Sequence, residues 1–155
     1  MSPESPPDIA LVQHALGAGG LHAALDVLNR RTPFRFTGVY RFDGDMLRNV
    51  ALFDRWAPDS SEGADAPMHE AFCAITGRLD APLEVTDGAT DPRHPWMQQN
   101  AVRSYCGTPI HDGEGQAIGT LCHFDLQPCQ AISSELPLLA QAATLFAPLL
   151  ASAPS

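Results

Sequence analysis

The chain has 155 residues, of which 45% are hydrophobic, a length and composition typical of one globular domain. Its net charge of −9 disfavours binding to the phosphate backbone of nucleic acids. All nine basic residues are arginines, which excludes Schiff-base chemistry on lysine and a Walker-type phosphate site.

The sequence predicts a cytoplasmic protein that does not contact a membrane. No stretch approaches the roughly 20 apolar residues of a membrane span, and the N-terminus lacks a secretory signal. Residues 1–8 and 151–155 are rich in proline, serine and alanine, so we expect disordered tails around a domain at 9–150. Four cysteines form no C-x-x-C pair and are expected to be reduced thiols: Cys73, Cys106, Cys122 and Cys129.

The first part of the chain predicts helical segments followed by a β-hairpin. Apolar residues recur at helical spacing over 9–31, and the glycine-rich stretch at 17–20 predicts a break between two helices. Apolar and aromatic runs at 34–42 and 46–53 flank an Asp-Gly-Asp turn, which is typical of two antiparallel strands joined by a tight turn.

The middle of the chain predicts short elements separated by loops. Apolar residues at helical spacing favour a helix over 67–77, and a short strand follows at 83–86. Residues 87–95 are dense in Asp, Gly and Pro and predict a loop. About two helical turns are predicted over 96–102.

The last part predicts a second hairpin and a terminal helix. Strands at 105–111 and 117–125 flank an Asp-Gly-Glu-Gly turn. Ser133 or Ser134 is a suitable N-cap for a helix that runs to the end of the chain. This order of elements predicts an α+β fold, in which an antiparallel sheet packs against helices.

The second hairpin resembles the signature of the GAF domain family. The resemblance lies in the segments SYCGTPI at 104–110 and IGTLCHFD at 118–125, with further similarity at 71–73, 83–87 and 91–93. It covers roughly residues 8–150. It implies a central antiparallel sheet of five or six strands with helices on both faces. The terminal helices would cover one face, and a ligand pocket would lie under the other.

The resemblance also implies a role. GAF domains of bacteria serve as sensory or regulatory modules that bind cyclic nucleotides, haem, bilins, amino acids or other small molecules, so neither the ligand nor a cofactor is identified. The output is expected through a signalling partner protein. The leucine- and alanine-rich terminal helices predict a homodimer, although burial on their own sheet explains the same pattern.

The candidate ligand-binding residues come from the middle of the chain and from the first strand of the second hairpin. Apolar and aromatic side chains are expected to line the pocket, and an Asp–Arg pair offers polar anchors. The set comprises Phe72, Cys73, Asp91, Arg93, Trp96, Met97, Tyr105, Cys106 and Thr108.

Catalysis by thiols is the main alternative that the resemblance raises. One enzymatic GAF group reduces free methionine-R-sulfoxide with a reactive and a resolving cysteine in loops over the pocket. Cys73 lies near one of these positions, but the loop at 87–102 contains no cysteine. Within the second hairpin, Cys106 would lie opposite Leu121, or opposite Cys122 if the strand contains a bulge, so a redox pair depends on the register.

A metal site is not predicted. His69 and Cys73 are four residues apart on the predicted helix, a spacing that lets two side chains share an ion, but two ligands are too few. The sequence therefore predicts a non-catalytic small-molecule-binding module in signal transduction. The alternatives are a thiol-dependent reductase of a small sulfoxide and a purely structural dimerisation or interaction domain.

Overall fold

A computed structural model describes residues 7–60, 63–130 and 133–151. The α-helices are α1 (Pro7–Asn29), α2 (Phe72–Leu79) and α3 (Leu136–Ala151). The strands are β1 (Phe36–Asp43), β2 (Met46–Asp54), β3 (Ala66–Pro67), β4 (Leu83–Val85), β5 (Ser104–His111) and β6 (Ala117–Asp125). Single 3-10 turns lie at Met68–Glu70, Pro95–Met97 and Ser133–Glu135.

The strands form one antiparallel sheet in the order β3-β2-β1-β6-β5-β4. The two predicted hairpins are β1–β2 and β5–β6, and they join through β1 and β6, where Val39 lies opposite Leu121. The predicted α+β fold, with an antiparallel sheet of five or six strands and helices on both faces, is confirmed. No helix in the described ranges is long and apolar enough to cross a membrane.

Helices α1 and α3 cover one face of the sheet. Successive side chains of a strand point to opposite faces, so Val39, Ile110 and Leu121 all face these two helices. They pack there against Leu25 of α1 and Phe146 of α3, both of which are fully buried. This layer forms the larger of the two apolar clusters and anchors the central strands.

Helix α1 contains a break where the sequence predicts one. Gly20 has φ 80° and ψ −166°, a backbone conformation that side chains other than glycine rarely adopt. The helix continues on both sides of this residue, so the two predicted helices meet at a kink. α1 begins at Pro7, within the predicted tail at 1–8; residues 1–6 and 152–155 lie outside the described residues.

Helix α2 covers the opposite face of the sheet. Phe72, Cys73 and Ile75 on α2 pack against Tyr105 of β5 and Cys122 of β6 in a second apolar cluster. The helix has only eight residues, and Asp80 ends it in the left-handed conformation at φ 53°. Because α2 is short, it covers only part of this face.

The predicted helix over 67–77 is in fact two separate elements. A 3-10 turn occupies Met68–Glu70, the backbone is extended at Ala71, and α2 begins at Phe72. The prediction that His69 and Cys73 share one helix face is therefore wrong. The His69 side chain is 80% exposed, whereas Cys73 is buried.

Two other predictions differ from the structure. Only the 3-10 turn at Pro95–Met97 forms where two helical turns were expected over 96–102. In the second hairpin Cys106 lies opposite His123, so neither predicted pairing of Cys106 is correct. The connection between the strands has five residues, and a bulge follows between Ile110 and His111, which together move the pairing by two residues.

Candidate functional site

A cavity of about 310 Å³ lies between the start of α2 and the sheet face opposite α1 and α3. Alternate residues of β1 and β6 form its floor, because Phe36 and Tyr40, like Cys122 and Phe124, point to the same side of the sheet. The remaining walls come from β2, from the segment at 63–66, and from residues around α2 and β5: Leu47, Leu52, Ala71, Phe72, Cys73, Val102 and Tyr105.

The walls of the cavity are apolar and rich in aromatic rings. Phe36 stacks on Phe124 with ring centroids 4.8 Å apart, and Phe72 lies 5.5 Å from Tyr105. Burial raises the pKa of Tyr40 far above its ordinary value, so its phenol stays neutral. These walls suit an uncharged, apolar or aromatic ligand body.

An amide side chain and a carboxylate side chain lie at the rim of the cavity. The Asn100 amide donates a 2.6 Å hydrogen bond to the backbone oxygen of Glu70, which joins the loop before β5 to the 3-10 turn before α2. On the other side, the Asp65 carboxylate accepts hydrogen bonds from the backbone of Asn49 and from the Arg48 guanidinium. These two hydrogen bonds lower the pKa of Asp65, which therefore keeps a negative charge at the rim.

Two thiols face each other within this apolar layer. The Sγ atoms of Cys73 and Cys122 are 3.9 Å apart. Cys73 Sγ also accepts hydrogen bonds from Thr120 Oγ1 at 3.0 Å and from Tyr105 Oη at 3.4 Å. The phenol of Tyr105 lies in addition 3.0 Å from Thr76 Oγ1 on α2. Every polar side chain at this point is thus engaged with another.

The acidities of the two thiols differ. Burial opposes ionisation of Cys73, but the hydrogen bonds from Cys122, Thr120 and Tyr105 outweigh it and lower the pKa of this thiol. Burial, together with the neighbouring Cys73, raises the pKa of Cys122.

Three of the predicted site residues line the cavity together: Phe72, Cys73 and Tyr105. Met97 is buried in the same apolar cluster but lies behind the lining. Trp96 is 59% exposed and borders a shallow cleft outside the cavity. These placements bring the first three residues into one candidate site and separate Trp96 from it.

Cys106 and Thr108 lie on the other face of β5, away from the cavity. Cys106 packs in the cluster beneath α1 and α3, where burial raises the pKa of its thiol to about 12. Thr108 is buried beside Ala140 and Ala143 of α3. Strand alternation places both residues opposite Tyr105, so the structure does not bring them to the ligand-sized cavity.

Asp91 and Arg93 satisfy each other instead of facing the cavity. Their side chains form an ion pair at 2.5 Å, which lowers the pKa of Asp91 to about 2. Arg93 Nη2 also donates a 2.7 Å hydrogen bond to the backbone oxygen of Glu84 at β4. Both residues thus hold the loop after β4 in place.

Sequence reasoning missed the floor and one wall of the cavity. The residues of the cavity that were not predicted as site residues include Phe36, Tyr40, Leu52, Cys122 and Phe124, together with the segment at 63–66. The period-2 alternation of β1 and β6 would indicate the floor, but only once the strand order is known. Among the residues that the structure describes, no group of three or more His, Cys, Asp or Glu side chains could hold a metal ion.

Comparison with known proteins identifies the family. The GAF domain model matches residues 19–150. The chain belongs to the GAF domain family. Members of this family are generally ligand-binding and signalling modules.

Solved GAF structures share the fold at low sequence identity. One similar structure is the GAF domain of an Acinetobacter phosphoenolpyruvate-protein phosphotransferase, with 13% sequence identity and a TM-score of 0.76. The superposition covers 97% of this chain and 95% of that domain. Another is the free methionine-R-sulfoxide reductase of Neisseria meningitidis, solved with its substrate, with 18% sequence identity and a TM-score of 0.66. The superposition covers 92% of this chain and 83% of that chain. These identities show the common fold alone.

One curated relative is a much longer protein. A cyclic di-GMP phosphodiesterase of Pseudomonas aeruginosa is 35% identical over 66 residues, which cover 40% of this GAF chain. The match spans only 11% of the length of that enzyme.

Proposed function

We propose that this GAF domain is a non-catalytic, cytoplasmic small-molecule sensor that regulates a partner protein in signal transduction. The observation that carries the proposal is the cavity of about 310 Å³ beside α2, which has apolar aromatic walls and a polar rim. Its volume falls at the lower end of the roughly 300–1,000 Å³ of small-molecule sites. The site therefore suits a small ligand.

The chemistry of the lining specifies the kind of ligand. Neutral aromatic walls favour a planar or aliphatic body without charge, because an unpaired charge is costly to desolvate. Asn100 and the neighbouring backbone at the rim offer hydrogen-bonding groups for one polar end of the ligand. A carboxylate-rich ligand is disfavoured, since Asp65 and Glu70 both lie at the rim.

Two features support a regulatory role. The family consists generally of ligand-binding and signalling modules, and the curated relative carries its similar segment within a much longer cyclic di-GMP phosphodiesterase. The element through which a bound ligand would signal is α2, because it is short and closes one end of the cavity. A ligand that presses on Phe72 and Cys73 would shift α2 relative to the sheet.

The terminal helices are the proposed dimer surface. Leu11 on α1 is 58% exposed and Leu149 on α3 is 43% exposed. Burial of such side chains against a second copy would stabilise a helical bundle between two protomers.

The second candidate function is a thiol-dependent reductase of a small sulfoxide. It is favoured by one observation, namely that Cys73 and Cys122 both line the cavity. The loop at 87–102, which carries a reactive cysteine in the reductases of this family, contains none here. Incubation with free methionine-R-sulfoxide and dithiothreitol, followed by quantification of methionine, separates the two functions, since a sensor gives no turnover.

Binding of a neutral fluorescent probe tests the sensor proposal. N-phenyl-1-naphthylamine is an uncharged aromatic compound whose emission rises in an apolar site. We expect saturable emission with the wild-type protein, and at least about tenfold weaker binding with Ala71→Leu, which adds methyl and methylene groups to the cavity wall. Ala140→Leu makes the same change at an exposed position of α3 and should bind like the wild type.

The same proteins are then compared by native mass spectrometry directly after purification from cells. A small molecule retained by the wild type and by Ala140→Leu, but lost from Ala71→Leu, would identify the natural ligand. Probe binding that is absent, or equal in all three proteins although circular dichroism shows each of them folded, would contradict a ligand site beside α2.

A further inference from the structure

The two cavity thiols belong to different layers of the fold. Cys73 lies in the first turn of α2 and Cys122 lies in the centre of β6, 49 residues apart in the sequence. Their sulfur atoms are 3.9 Å apart, whereas a disulfide bond has a length of about 2.05 Å. A movement of roughly 1 Å by each sulfur would close the bond.

The surroundings of Cys73 are those of a nucleophilic thiol. Thr120 and Tyr105 both direct hydroxyl groups at its sulfur, and such hydrogen bonds stabilise a thiolate. At Cys122 this support is weaker, because Tyr105 places its hydroxyl group on Cys73, while Thr120 contributes to both sulfurs. The geometry thus distinguishes an attacking thiol on α2 from a resolving thiol on β6.

The cavity provides a route to the pair. Both cysteines are among its lining residues, although they expose only 4% and 0% of their surface. An oxidant must therefore be small and must enter the cavity before it reaches them. Cys106 is equally buried, but it lies on the opposite face of the sheet and has no access to this cavity.

We infer that Cys73 and Cys122 are a redox-modification site, at which a small hydroperoxide converts the two thiols into a disulfide that links α2 to the sheet. The Cys73 thiolate attacks the peroxide, the O–O bond breaks, and Cys73 becomes a sulfenic acid. The departing hydroxide or alkoxide takes up the proton that Cys73 released and leaves as water or an alcohol. The Cys122 sulfur then attacks the Cys73 sulfur, the S–O bond breaks, and the sulfenic hydroxyl leaves as water with the Cys122 proton. Two electrons pass from the two thiols to the peroxide, and a thiol reductant reverses the reaction.

The disulfide would change the cavity in which it forms. In the disulfide, Cys73 could no longer ionise, so the hydroxyl groups of Thr120 and Tyr105 would always face a neutral sulfur. The start of α2 would be drawn toward β6. Oxidation would thereby alter the wall that contacts the ligand, and this last step rests on the proposed sensor function.

Peptide mapping after hydrogen peroxide treatment tests the inference. The wild-type protein is oxidised at neutral pH, denatured in iodoacetamide to block free thiols, and digested with a protease that cleaves after Asp and Glu. Because the bond before Pro92 resists cleavage, this digestion places each cysteine on its own peptide, namely 71–80, 88–112, 115–125 and 126–135. Mass spectrometry then reports every linkage separately.

The expected product is a cross-link between peptides 71–80 and 115–125, while Cys106 remains alkylated. The cross-link should disappear on treatment with dithiothreitol and should form at the same rate in Cys106→Ala, which removes a buried thiol from the other face. In Cys122→Ala, Cys73 should instead stop at the sulfenic or sulfinic acid, and dimedone labels the former.

Other results would overturn the inference. A protein in which only Cys129 is oxidised, or in which Cys73 is oxidised without a link to Cys122, lacks the proposed site. The wild-type map decides the question even where a variant fails to fold. The outcome is also separable from the sensor proposal, because the mapping needs no ligand and the probe titration needs no oxidant.

Discussion

The buried imidazole of His123 should make the protein sensitive to mild acid. His123 lies on β6 beneath α1 and α3, where its Nδ1 shares a 2.6 Å hydrogen bond with Thr37 Oγ1 and its ring stacks on Phe34. Burial, together with a smaller contribution from the positive charge of Arg55, lowers the pKa of His123 to about 3. The folded protein thus holds this side chain neutral, whereas the unfolded chain protonates it at about pH 6.5.

The size of the effect follows from the difference between the two pKa values. Between pH 3 and 6.5 the unfolded state binds more protons at this residue, so the free energy of unfolding falls as the pH falls. Integration from about pH 7.5 to pH 4.5 gives a loss of about 2.7 kcal/mol from His123. A carboxylate with a lowered pKa loses only about 0.1 kcal/mol over this interval, because its unfolded pKa is near 3.8.

Urea unfolding of His123→Gln at these two pH values measures this contribution. The glutamine side chain is uncharged at both pH values, so its free energy of unfolding should fall by about 2–3 kcal/mol less than that of the wild type. His69→Gln is the matched control, because the His69 side chain is 80% exposed and should behave like the wild type. The other titrating groups cancel in each comparison.

Equal pH dependence in the wild type and His123→Gln would refute the reasoning. It would mean that His123 binds a proton in the folded state near neutral pH, and hence that water or an acidic group reaches it. A lower stability of His123→Gln at both pH values, with an unchanged difference between them, would be a packing effect and would also count against the proposed pKa.

Two further substitutions test the fold, with the free energy of unfolding in urea as the measurement. Gly20→Ala should lower the free energy of unfolding by about 1–2 kcal/mol, because φ is 80° at this residue. Gly17→Ala is the control: it lies in regular helix with open space around it and should raise the free energy of unfolding by up to about 1 kcal/mol. Equal effects of the two substitutions would contradict the kink. Asn29→Ala should cost about 2–4 kcal/mol, since this fully buried amide donates to the Phe34 carbonyl and to Thr37 Oγ1; a cost below about 1 kcal/mol would show that other groups satisfy these atoms.

The two hairpins could be predicted because their signals are local. In each hairpin, β1–β2 and β5–β6, two apolar runs flank a turn that contains Asp-Gly. The kink in α1 is local as well, since glycine alone tolerates the backbone at Gly20. The prediction of one helix over 67–77 was wrong in detail, because a 3-10 turn followed by α2 places the same apolar residues in or against the second apolar cluster.

The candidate site was harder to predict, because it depends on which faces of distant strands meet. Cys106 and Cys122 are both strand residues, yet one lies under α1 and α3 and the other under α2. This placement depends on which helix covers which face of the sheet, since the two-residue difference in register leaves every side chain on its own face. The pairing of Cys73 with Cys122 also requires the position of α2, which is a tertiary property.

The glycine of the SYCGTPI segment connects the family signature to the thiol site. Gly107 on β5 lies opposite Cys122 on β6, and it faces the same side of the sheet as Tyr105. A side chain at this position would overlap the phenol ring of Tyr105, so only glycine leaves the space into which that ring leans. The ring then reaches Cys73 and Thr76 on α2. Gly107, which lies beside Cys122, thereby allows Tyr105 to donate its hydrogen bond to Cys73. The acidity of the Cys73 thiol on α2 therefore depends on a glycine in the sheet.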